Sequence, residues 1–222
     1  MTTVTKMRLS KETYTILKNF AAINSNLHIK PGNVLKTKSP NSNMLVQAKV
    51  VDDFDADVYI WDLNQFLGIV SMFTNPDLEF NDTYVSISNG RSSVKYYYAE
   101  PNILDVPKRD IKMPATTIKF DLDEKDLNEL IRAANILQVS DLKILASDGK
   151  IKIMVYDNAQ NTANNCEITV DEHYSGDDYE GRISVSELKF VPGSYTVELT
   201  DTIIGRFNHK SLNLSYTIAI ER

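Results

Sequence analysis

An α+β fold of antiparallel sheets and a few surface helices, made twice within one chain, is what the sequence predicts. Three observations carry this. Short runs alternate apolar and polar residues or concentrate β-branched and aromatic types, as in MLVQAKVV (44–51), DVYIW (57–61), TYVSISN (83–89), SVKYYYA (93–99), DLKILAS (141–147), KIKIMVYD (150–157), SYTVELT (194–200) and LNLSYTIAI (212–220). Turn dipeptides stand between such runs at Pro31-Gly32, Asn89-Gly90, Asp148-Gly149 and Pro192-Gly193. A handful of segments have helical periodicity instead, and they recur in the second half.

The first helix is expected over residues 10–24, SKETYTILKNFAAIN. At about 100° per residue, Thr13, Ile16, Leu17, Phe20 and Ile23 fall on one side and Lys11, Thr15, Lys18 and Ala22 on the other. Ser10 is the expected N-cap. A second helix, DLNQFLGIVSMF (62–73), starts at Asp62 and turns Leu63, Phe66, Ile69, Val70 and Phe73 inward. The stretch 100–117, EPNILDVPKRDIKMPATT, holds three prolines and mixed charge and reads as an extended connector. Beyond it DEKDLNELIRAANIL (123–137) is helical, capped by Asp123, with Leu127, Leu130, Ile131, Ala134 and Leu137 as its apolar face. Lys125, Asn128 and Arg132 lie opposite.

The helices at 10–24 and 123–137 superpose with an offset of 114 positions, which sets Lys11 on Lys125, Lys18 on Arg132 and Leu17 on Ile131. VYIWDLNQFL (58–67) has a shorter counterpart in RISVSELKFV (182–191), closed by Pro192-Gly193. Each half then reads strand, helix, strands, short helix, strands, so two similar domains, 1–110 and 111–222, are expected.

The composition is that of a water-soluble globular protein: 42% hydrophobic and 24% charged residues, with net charge −6. No run of about 18 apolar residues is present, and the start of the chain lacks an apolar signal-like stretch. The single cysteine, Cys166, excludes an intrachain disulfide, and a reducing cytoplasm is the expected compartment. Residues 1–114 carry 13 Lys and Arg against 12 Asp and Glu; residues 115–222 carry 11 against 18. That balance excludes a uniformly basic nucleic-acid binder and leaves room for a local basic surface.

The matched cations are that surface. Seven residues of helix rise about 10.5 Å, so Lys11 with Lys18, and Lys125 with Arg132, each form a short ridge opposite the apolar face. Such a ridge suits a polyanion backbone rather than base edges. It is equally the ordinary solvated face of a helix, and Glu12 and Glu129 dilute its charge.

The stretches RLSKETYTILKNFAAINSNLHIKPGN (8–33) and DFDADVYIWDLNQFLGIVSMF (53–73) resemble the DNA sliding clamps of T-even-like tailed phages, which are polymerase processivity factors. ELIRAANILQV (129–139), DGKIKI (148–153) and PGSYTVEL (192–199) extend the resemblance over nearly the whole chain. It implies two sliding-clamp domains per chain, with helices on antiparallel sheets, and a ring of six domains made by a homotrimer. The ring would encircle double-stranded DNA without sequence preference, tether the replicative DNA polymerase during viral DNA replication, and work in the cytoplasm of the infected host cell. Lys11, Lys18, Lys125 and Arg132 are the implied pore residues, and Lys189 in the second-half short helix adds to them. A partner pocket near the connector is implied as well, with Ile103, Leu104, Val106, Ile111 and Met113 as candidate walls together with Ile218 and Ile220. SVKYYYA (93–99) is a candidate edge for subunit contact.

Catalytic, cofactor and metal sites find no support. His28, His173 and His209 are scattered, and Cys166 reads as the start of a strand. The acidic turn at 52–57, within VDDFDADVYIWD, lacks the glycine and terminal glutamate of a calcium loop. No Gly-rich phosphate loop is present, so opening of a ring would fall to a separate ATP-dependent clamp loader. Two other readings stay open: a scaffold of the same duplicated fold that encloses no DNA, and a small metal-dependent enzyme using the acidic turn.

Overall fold

The computed structural model describes residues 5–160 and 162–221. It divides into two compact units, Met1–Asp110 and Ile111–Arg222.

The first unit begins with strand β1 (Thr5–Met7) and helix α1 (Lys11–Ile23). The side chain of Ser10 accepts the Thr13 N–H at 3.1 Å, the expected cap. Thr13, Ile16, Leu17, Phe20 and Ile23 are all buried, and Lys11, Thr15, Lys18 and Ala22 are all exposed. Burying each large apolar side chain of that stripe contributes about 1.5–3 kcal/mol. Strands β2 (Leu27–Ile29), β3 (Gly32–Lys38), β4 (Met44–Phe54) and β5 (Val58–Ile60) follow, then α2 (Leu63–Ser71) and strands β6 (Asp77–Phe80), β7 (Tyr84–Ser88) and β8 (Ser93–Tyr97). Antiparallel pairing gives a four-stranded sheet in the order β1-β6-β7-β8, and joins β2 to β5 and β3 to β4. Helix α1 packs on β3, β4 and α2.

The acidic turn is taken up by local structure. Asp52 accepts the backbone N–H of Ser10 at 2.8 Å, where a carboxylate also favours the positive end of α1. Asp57 faces His28 at 2.7 Å, and Asp62 caps α2 through the Gln65 N–H at 3.0 Å.

The second unit runs β9 (Thr116–Leu122), α3 (Glu124–Leu137), β10 (Asp141–Ser147), β11 (Lys150–Tyr156), β12 (Cys166–Asp171), β13 (Tyr179–Ser184), β14 (Tyr195–Thr200), β15 (Ile204–His209) and β16 (Leu214–Ala219). One sheet has the order β12-β11-β10-β13, and β9-β14-β15-β16 form consecutive neighbours in another. The hairpin between β10 and β11 turns on Asp148 and Gly149, at φ 51° and 74°. Two successive positive φ values are what a two-residue hairpin needs to match strand twist.

The duplication is visible in the connectivity of each unit taken alone. β1-β6-β7-β8 repeats as β9-β14-β15-β16, with α1 and α3 each following the first strand. β10 pairs with both β11 and β13; its first-unit counterpart is cut by Pro31 into β2, which pairs β5, and β3, which pairs β4. Among the described residues strand β12 has no first-unit equivalent.

Two local expectations are corrected. Asp123 occupies the cap position of α3 without a side-chain capping bond; Ser194 Oγ accepts the Glu124 N–H instead, at 3.0 Å. The short helix expected within 182–191 is only a 3-10 turn, Val185–Glu187. Val191, where a helix would continue, donates its N–H to Tyr216 Oη at 3.0 Å, and its carbonyl accepts the Tyr195 hydroxyl. Phe190 meanwhile packs among Tyr195, Phe207 and Tyr216, with centroids 4.4 to 5.3 Å away.

Candidate nucleic-acid interface and partner cleft

On α1 the apolar stripe fixes the helix rotation, and with it the outward direction of Lys11 and Lys18. The Lys18 ammonium lies 5.6 Å from the Tyr14 ring centroid. Lys11 and Tyr14 stand at the rim of an apolar cleft of about 380 Å³ formed with Val70, Phe73 and Leu78. On α3 Leu127, Leu130 and Ala134 are buried while Lys125 and Arg132 are exposed. Ile131 and Leu137, expected in the core, are only half-buried. Lys125 and Arg132 open onto a groove of about 570 Å³ that includes Ile136 and Cys166. Among the described residues no acid forms an ion pair with any of these four cations. Lys189 is exposed just after the 3-10 turn. The two helices thus present equivalent cation pairs from equivalent places in two copies of one topology.

The candidate pocket residues separate. Ile103 is 54% exposed, Val106 half-buried, and Leu104 buried within the first unit. Ile111 and Met113 belong to the second unit, exposed and half-buried respectively. Ile218 and Ile220 are 1% and 2% exposed, in the second unit's core, where Gly181 makes room for the Ile220 side chain. Side chains so placed present no surface to a partner, because the alternation that marks β16 as a strand turns them inward.

Of these candidates only Val106 lines the distinct cleft beside the connector, of about 290 Å³. Its other apolar walls are Pro31, Val34 and Pro107, and its rim carries Lys30, Lys36, Lys108, Arg109 and Asp110. The Lys36 ammonium beside Asp110, 2.5 Å away, holds that carboxyl below its usual range. His28 also borders the cleft, stacked on Tyr59 with centroids 4.4 Å apart. Sequence reasoning passed over these rim residues, although the cation runs KPGNVLK (30–36) and PKRD (107–110) were there to be read.

Two asparagines it also passed over fix the connector. Asn24 donates to the carbonyls of Lys38 and Asp105 at 3.0 and 2.9 Å. Asn26 donates to the Trp61 carbonyl at 2.7 Å and accepts the Asp105 N–H at 2.9 Å. The chain therefore reaches Val106 from an anchored backbone.

Two sheet edges complete the surface. β8 shows Ser93, Lys95 and Tyr97 to solvent, and Arg91 stands in the turn before it. β12 carries Glu167 and Asp171, with Glu172 just beyond. One edge is basic and the other acidic, although Glu167 and Glu172 already pair with Lys152 and Lys150 at 2.8 and 2.9 Å. β1 is only three residues long, and Lys6 and Arg8 are both tied to Asp77, at 3.0 and 2.7 Å.

With this geometry in place, comparison with known proteins is specific. The DNA polymerase processivity factor family matches residues 10–102, and the family described as gp45 sliding clamp, C terminal, matches residues 119–222. The sliding clamp of Escherichia phage RB69 is 31% identical, with 97% of each chain covered, and that of Enterobacteria phage T4 is 30% identical, again with 97% of each. Among solved structures, the A. fulgidus PCNA bound to the C-terminal region of FEN-1 is similar with a TM-score of 0.74 at 14% identity, covering 99% of this chain and 98% of that one. At that identity the likeness concerns the fold.

Proposed function

The chain belongs to the sliding-clamp family of T4-like phages and is a DNA sliding clamp; from that premise we propose that three copies close into a ring around duplex DNA and tether the replicative polymerase. The observation that carries the DNA-facing assignment is the pairing of Lys11 and Lys18 on α1 with Lys125 and Arg132 on α3, exposed and without ion-pair partners among the described residues. Set round a pore, with Lys189 beside them, they would supply a modest positive lining. Strong phosphate contacts would brake sliding, whereas sparse cations diluted by Glu12 and Glu129 keep the duplex centred. Topology, rather than affinity, would hold the ring in place.

Two units per chain and six in a ring require a head-to-tail trimer that closes on itself. The opposed charges of the two edges favour β8 of one protomer meeting β12 of the next, Arg91 and Lys95 facing Glu167, Asp171 and Glu172. The ring predicts a solution mass of about 75 kDa, three times the 25.1 kDa subunit, and a stable monomer would contradict it. Reversing Arg91 and Lys95 to Glu should lower the mass, and adding Glu167→Lys with Asp171→Lys should restore it.

Partner proteins would dock an apolar tail in the cleft at Val34 and Val106. With no Gly-rich phosphate loop in the sequence, a separate ATP-driven loader would open the ring. The family acts as processivity factors rather than as catalysts. Among the described residues no helix is long and apolar enough to cross a membrane, and a phage replication protein would work in the host cytoplasm. The function is tested by polymerase product length on primed circular DNA with loader and ATP: long products should require this protein, and equal lengths without it would sink the proposal.

A further inference from the structure

We infer that the cleft at Val34 and Val106 selects tails bearing Asp or Glu beside their apolar anchor. This rests on the reading of that cleft as the partner site and names the chemistry of its occupant. The whole chain carries net charge −6, yet the cleft's rim holds four Lys or Arg residues and one acid. That acid, Asp110, is engaged by Lys36 at 2.5 Å. Lys30, Lys108 and Arg109 are exposed and have no ion-pair partner among the described residues. Three cations without an ion-pair partner around one small cleft, with Lys30 acting on Asp110 only at longer range, set a positive local potential in an acidic protein.

The same charges could attract a phosphate backbone, but the walls argue for peptide. Val34 is 39% exposed, and with Val106, Pro31 and Pro107 it gives the cleft an apolar side that suits an apolar side chain. A DNA backbone has no group to place there. That side is also preformed: Asp105, next to Val106, is held through its N–H and C=O by Asn26 and Asn24, and Lys38 pairs with its carboxylate at 2.7 Å. A tail with one or two apolar residues in the cleft would bring flanking carboxylates within reach of Lys30, Lys108 and Arg109. At physiological salt charges interact over about 8 Å, so only residues adjacent to the anchor would register.

The test uses the full-length protein and fluorescent peptides sharing one aromatic-aliphatic anchor, flanked by Asp and Glu, by Asn and Gln, or by Lys. The acidic peptide should bind about tenfold more tightly than the neutral one at low salt, with the gap closing near 0.5 M salt. Lys30→Glu/Lys108→Glu/Arg109→Glu should reverse the order, so that the lysine peptide binds best. Val34→Ser/Val106→Ser separates the two readings. Peptides that bind alike whatever their flanks, yet are lost in the valine variant, would overturn charge selection and leave the cleft as partner site. Peptides indifferent to the valine variant would remove the cleft itself and the inference with it. Displacement of the acidic peptide by short duplex DNA at equal charge would assign the rim to nucleic acid and overturn the inference.

Discussion

The side-chain amide of Asn24 donates to the main-chain carbonyl of Asp105 at 2.9 Å, tying the C-cap of α1 to the connector across 81 residues of sequence. Asn26 doubles the tie by accepting the Asp105 N–H at 2.9 Å. Both asparagines are buried, and the backbone groups they hold at Lys38, Trp61 and Asp105 are part-buried, so water replaces the lost bonds only in part. Asn24→Ala and Asn26→Ala are each expected to destabilise the protein by about 1–3 kcal/mol. Amide hydrogen exchange should speed up at Asp105 and Val106 before it does in α1. Unchanged exchange at the connector would show that other contacts hold it.

Two buried hydroxyls make the opposite case. Among the described residues Thr37 Oγ1 and the Tyr98 hydroxyl have no hydrogen-bond partner, and burial pushes the Tyr98 phenol well above its ordinary pKa. Thr37→Val and Tyr98→Phe should be neutral or stabilising, by up to about 1 kcal/mol, in denaturant unfolding. Tyr195→Phe is the control: its hydroxyl donates to the Val191 carbonyl, and losing it should cost about 1 kcal/mol.

Acid should release β1 early. The Arg8 guanidinium and then the Lys6 ammonium hold the Asp77 carboxyl below its ordinary value of 3.8. A depressed folded-state pKa contributes stability that is complete above the unfolded value and is lost as pH falls through the folded one. Exchange protection of β1 should therefore hold at neutral pH and decline below about pH 4. Asp77→Asn should remove the pH dependence by lowering protection at neutral pH to the level the unsubstituted protein reaches in acid. A decline centred near neutrality would contradict the assignment.

The proposed lining is tested by Lys11→Ala, Lys18→Ala, Lys125→Ala and Arg132→Ala combined. All four side chains are exposed, so the oligomer should persist while loading or sliding is impaired and the salt dependence of DNA association becomes shallower. Loss of the oligomer would make these residues structural.

What the sequence made legible follows from periodicity. The stripe of α1 was readable because the helix is half-buried, and β10 and β11 because alternation and an Asp-Gly turn coincide. The 3-10 turn at Val185–Glu187 was not, since tyrosines distant in sequence, Tyr195 and Tyr216, take the backbone bonds of Val191. The α3 cap escaped for the same reason, lying on Ser194. Pro31-Gly32 marks the break between β2 and β3, and Cys166, Ile168 and Val170 alternate with Glu167, Thr169 and Asp171 along β12. Ile218 and Ile220 were drawn to a pocket by resemblance, although the alternation of LNLSYTIAI already marked them as inward-facing. The cleft's cations were missed because a local rim has no period.

The central claim is topological enclosure of DNA, and retention on circular against linear DNA tests it most directly. Protein loaded on a nicked circle should stay bound through gel filtration in high salt and be released when a restriction enzyme linearises the circle. Equal retention before and after cutting, or none on the circle, would contradict a ring that holds DNA by encircling it.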